Sequence, residues 1–134
     1  MNEISFTVQG YYDLLNLHKA LLEAKFHKNP DNDFVAGSPI IARLCNEIVD
    51  LLTEHKGGWS DWRRIENQSF FIERAIDNAV AFYSNHDNVW EKLKSGEKAE
   101  QIKNYLSPFI ANERDILIIS TEVERRLQLN KDCL

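Results

Sequence analysis

The sequence predicts an all-α fold: a single-domain bundle of about five helices with a long central third helix. Three observations carry that reading. From Ser60 to Ser84, the residues Trp62, Ile65, Ser69, Ile72, Ile76, Ala79 and Tyr83 recur at alternating steps of three and four, the spacing that lines one face of a helix. Phe70, Phe71, Ala75, Val80 and Phe82 widen this stripe, and a helix apolar over so much of its circumference has neighbours on more than one side. At 1.5 Å per residue such a helix would be roughly 35 Å long, the width of a small domain. The second observation is composition: 134 residues, 43% hydrophobic and 28% charged, describe one globular domain with a core of its own. The third is punctuation, since turn formers cluster between helical stretches and no internal repeat or linker divides the chain.

In chain order, Ile4, Phe6 and Val8 alternate with polar residues over too short a span for a paired strand. Residues 1–10 are therefore expected to be an extended arm or a ragged helix start. The first helix is predicted from about Tyr11 to Phe26, with Leu14, Leu15, His18, Leu21 and Leu22 on its apolar face. Lys28 to Gly37 reads as a loop rich in Asn, Asp and Pro, with Phe34 and Val35 tucked onto the bundle. Ser38-Pro39 is a helix start: the hydroxyl accepts from a free backbone N–H, and proline at the first position has no donor to lose. The second helix places Ile41, Leu44, Ile48, Leu51 and His55 on one line, with Cys45 and Leu52 beside it and Arg43, Glu47, Asp50 and Glu54 opposite. Gly57-Gly58 ends it.

Ser60 or Asp61 is expected to cap the long third helix. Asn88 with Glu91 suggests a capping box for a short helix Val89 to Lys94. Glu97 to Leu106 is a further, mostly polar, helical piece. Ser107-Pro108 repeats the start signal ahead of a last helix from about Phe109 to Leu129, with Phe109, Ile116, Val123 and Leu127 in line. Residues 130–134 are expected to fray.

Composition also narrows function. The net charge is −5, which disfavours nucleic acid, because binding it needs a basic surface. The start of the chain shows no basic segment followed by an apolar one, and no apolar run is long enough to span a membrane. Two cysteines, Cys45 and Cys133, make no disulfide framework. A reducing, cytoplasmic setting follows as the expectation.

No motif assembles chemistry. Glu-x-x-His and His-x-x-x-His pairs are absent, so no metal site is expected. Three of the four histidines, His27, His55 and His86, fall at predicted helix C-termini, where an imidazole can bond free carbonyls. None of the four has an arginine five to seven positions earlier, the pair that marks the HEPN ribonucleases. Cys45 lies among core positions and reads as a small buried hydrophobe. Gly57-Gly58 lacks the residues of a phosphate loop. No cofactor is expected.

The most unusual stretch is Trp59-Ser60-Asp61-Trp62-Arg63-Arg64. Trp and Arg are enriched in the hot spots of protein interfaces, although two indoles at a helix junction can equally close the end of a core. The sequence therefore points first to a non-enzymatic interaction module, an acidic cytoplasmic binder of the immunity-protein, antitoxin or inhibitor type. Its partner would be another protein with a basic surface, met by Trp59, Asp61, Trp62, Arg63 and the acidic strip Glu47, Asp50 and Glu54. The alternative is an enzyme or small-ligand binder with a pocket at the second-to-third helix junction, using His55 with Arg63 or Arg64. A homodimer through the Ile4–Val8 arm is a further possibility.

Overall fold

The computed structural model describes residues 3–132, and Cys133 lies outside them. Ser38 and Pro39 act as expected: the Ser38 hydroxyl accepts from the Ile41 N–H at 3.2 Å. The chain then builds α1 (Tyr11–Lys25), α2 (Pro39–His55), α3 (Trp59–Trp62), a 3-10 turn (Ile65–Asn67), α4 (Ser69–Ser84), α5 (Val89–Lys92), α6 (Ser95–Leu106) and α7 (Glu113–Asp132). The fold is all-α, with seven α-helices among the described residues. Residues 3–10 carry no regular structure, and Ile4 and Phe6 lie fully in solvent.

The long third helix expected over Ser60–Ser84 is divided. The Ile110 N–H donates to the Arg63 carbonyl at 2.9 Å, and the Ile65 N–H donates to the Ile110 carbonyl at 3.3 Å. These bonds form a parallel bridge between Arg64 and Ile110. They pull the backbone between α3 and α4 out of helical geometry, so tertiary pairing overrides the periodicity. The Gln68 side chain donates to the Trp62 carbonyl at 2.8 Å, meeting one acceptor that the break frees. α4 keeps the central role in part, since it packs against both α6 and α7.

Other local expectations change as well. The last helix begins at Glu113 rather than Phe109, because Asn112 is its cap: the Asn112 side chain accepts from the Asp115 N–H at 2.8 Å. Asn88 caps nothing with its side chain and takes a left-handed conformation at φ 64°. The reciprocal carboxylate bond falls one helix later, where Glu97 accepts from the Lys94 N–H at 3.0 Å. In α2 the buried residues are Ala42, Cys45, Ile48, Val49 and Leu52. Leu44 and Leu51, expected in the core, face solvent, and so does His55.

The core is a continuous cluster. It includes Phe26 just past the end of α1, Ile76, Ala79 and Tyr83 of α4, and Ile102, Tyr105 and Leu106 of α6. Ile116, Val123 and Leu127 of α7 complete it, with Phe109 ahead of that helix. The expected line on the last helix is therefore the buried one. Phe26, Phe71, Phe109 and Trp62 form a chain of aromatic contacts, with centroids 4.7 to 5.8 Å apart.

Candidate functional site

At the α2–α3 junction, Trp59, Trp62 and Arg63 are turned into the fold, while Ser60, Asp61 and Arg64 are exposed. Arg63 is buried, 9% exposed. Its Nε donates to the Pro108 carbonyl at 3.0 Å. Its terminal nitrogens donate to Asp50 Oδ1 at 2.5 Å and to Asn46 Oδ1 at 3.2 Å. Asn46 in turn donates to the Ser107 hydroxyl at 3.2 Å. This guanidinium, using its fork of donors, ties α2 and the α3–α4 connection to the α6–α7 loop. Trp59 and Trp62 meet each other edge-on at 5.4 Å and both meet the buried His18, at 5.2 and 5.1 Å. Burial, with a smaller contribution from Lys19, lowers the His18 pKa, which favours the neutral ring between the indoles.

His55 and Arg64 are not brought together. His55 meets Tyr11 edge-on at 6.2 Å, while Arg64 Nε lies 3.7 Å from Asp61 Oδ1. The hollow at this junction, lined by Gly57, Gly58, Trp59 and Trp62, is about 220 Å³ and wide open.

The outer face of α2 is different in kind. Ile40, Leu44 and Leu51 are exposed, as are Glu47 and Glu54. At 3.6 residues per turn these five positions fall on one face, opposite the buried Cys45, Val49 and Leu52. Asp50 borders it, 63% exposed in its side chain even while paired with Arg63. Glu47 pairs loosely with Arg43 at 3.5 Å, one helical turn away. Sequence reasoning assigned Leu44 and Leu51 to the core. α2 has apolar residues on both sides, and its outward series Ile40, Leu44, Leu51 was the available signal that one set must remain outside.

Two further features have no sequence motif. Lys25 is 1% exposed. Its ammonium donates to the carbonyls of Ala36 at 2.9 Å, Asn104 at 2.5 Å and Tyr105 at 2.8 Å. Burial brings its pKa down to about 7. The second feature is a cleft of about 480 Å³ where the ends of α4 and α7 meet α5 and α6. Trp90, 5% exposed, lies in its wall beside Tyr83 and Leu127. Glu124 accepts from the Trp90 indole N–H at 3.3 Å and from Lys98 at 2.7 Å. Lys131 pairs with Glu91 across the opening.

Among the described residues, no group of three or more His, Cys, Asp and Glu side chains is placed to hold a metal ion. Nor is any helix of the described residues long and apolar enough to cross a membrane. Comparison with protein-family models, with curated proteins and with solved structures returns no match.

Proposed function

We propose that this protein is a protein-binding module whose interface is the outer face of α2, and that its partner presents basic and apolar groups together. The observation that carries the reading is the interleaving of Ile40, Leu44 and Leu51 with Glu47 and Glu54 on one exposed helix face. A rigid helix presenting apolar anchors at helical spacing is suited to a partner's groove or to the side of a partner's helix. The acids add steering toward a basic surface, in keeping with the net charge of −5. Asp61, 81% exposed in its side chain, extends the acidic rim past the end of the helix. Trp59 and Trp62 would support this face from behind, because both are half-buried against His18. Arg63 would act by fixing Asp50 at the border of the face, since its guanidinium is buried.

The test is parallel affinity capture from native lysate with the wild-type protein and with a Leu44→Ser/Leu51→Ser variant as baits. The two leucines are 36% and 45% exposed, so the double variant should lose some stability but stay folded, which thermal denaturation checks. The expected result is a basic protein retained by the wild type at low salt and lost from the variant. Retention of the same proteins by both baits, or recovery of the protein with no other chain, would count against an interface on α2.

A further inference from the structure

We propose that the cleft around Trp90 binds aliphatic ammonium groups, with a linear polyamine as its ligand. Its walls combine an apolar floor, made by Trp90, Tyr83 and Leu127, with three carboxylates, Asp87, Glu91 and Glu124. A largely apolar hollow with a few convergent polar groups is the ordinary form of a small-molecule site. The sign of the ligand charge follows from the pairing. Both ammonium groups in the cleft are engaged, Lys98 with Glu124 at 2.7 Å and Lys131 with Glu91. Asp87 has no ion pair among the described residues, so the surplus charge of the lining is negative. An anion entering here would have to break an existing pair and then face the remaining acids. A cation meets Asp87 directly.

The cleft also shows how a cation would sit. The Lys98 ammonium lies over the Trp90 ring, 5.3 Å from its centroid, while bonded to Glu124. An alkylammonium between an indole face and a carboxylate is thus already present, supplied by the protein itself. Lys131 and Glu91 are both half exposed, and such pairs are weak, so Lys131 can yield to an entering cation. Lys98 is only 21% exposed in its side chain and gives way where a ligand ammonium replaces its own on Glu124. The volume, about 480 Å³, accommodates a chain with several methylenes, whose apolar stretch would lie on Trp90 and Leu127.

The experiment follows the indole N–H resonances of the ¹⁵N-labelled protein during a spermidine titration at constant ionic strength, with Trp90→Phe assigning the Trp90 signal. The expected result is a saturable shift of Trp90, with Trp59 and Trp62 unmoved. Asp87→Asn, at an exposed position, should weaken binding about threefold, and Lys98→Met should tighten it by a similar factor by removing the internal competitor. Nα-acetyl-lysine methylamide is titrated in parallel. If it matches spermidine, the occupant is a lysine side chain of another protein; if spermidine binds much more tightly, the occupant is a free polyamine. A Trp90 shift no larger than that caused by added sodium chloride, equal movement of all three indoles, or unchanged affinity in Asp87→Asn would overturn the proposal.

Discussion

Lys25 places a titratable group where the fold allows it no water, and three carbonyls take the three protons of its ammonium. Burial lowers its pKa from 10.5 to about 7 in the folded chain. Between these values the unfolded chain holds the proton and the folded chain releases it, so Lys25 makes stability rise with pH across that range. Below about pH 7 both states are charged, and its contribution is at its least favourable. Urea unfolding of wild type and Lys25→Met at pH 6.5 and 8.5 checks this: the wild type should gain on the variant at the higher pH, and a constant difference would contradict the account. Burial pushes the Cys45 thiol up and the neighbouring Lys25 charge lowers it, so both proteins of the comparison carry Cys45→Ala to remove that coupled titration. Arg63 is the second such residue. Arg63→Ala leaves Asn46 and the Pro108 carbonyl without their donor and should cost about 2–3 kcal/mol in the same assay.

At the scale of elements, Gly37 shows how closely the loop before α2 is set on α6. A Cβ there would fall 2.5 Å from the Tyr105 ring. Gly37→Ala should therefore cost about 1–3 kcal/mol, and combining it with Tyr105→Leu should cost less than the two changes summed; strict additivity in thermal denaturation would show that the contact is not the cause. Much at this scale was legible beforehand. The Ser38 cap and the buried line of α7 are local or periodic signals, and the sequence displays such signals directly. The division of the third helix was not legible, because it depends on Ile110 pairing with Arg63 and Ile65 from far along the chain. The same holds for Lys25, whose burial depends on carbonyls 79 and 80 residues away. In the candidate interface, the acids Glu47, Asp50 and Glu54 were readable as an exposed strip. The outward Leu44 and Leu51 were not, because α2 offers two apolar sides and only the position of α1 and α6 against it decides between them.

For the molecule as a whole, the packing sets three regions apart. The aromatic junction at Trp59 and Trp62 is turned inward onto His18. The Trp90 cleft opens where α7 ends. The outer face of α2 joins apolar and acidic residues on an acidic protein. Association through that last surface should slow as salt rises, since exposed acids steer a basic partner over distances that salt screens. The most direct measurement is hydroxyl-radical footprinting of the wild-type protein alone and in the complex recovered by capture, read by mass spectrometry. The tryptic segment from Leu44 to Lys56 carries Leu44 and Leu51. Oxidation of these two leucines should fall several-fold in the complex, while Trp90 and Leu117 stay as reactive as in the free protein. Full reactivity of Leu44 and Leu51 in the complex, with protection confined to another face, would contradict an interface on α2.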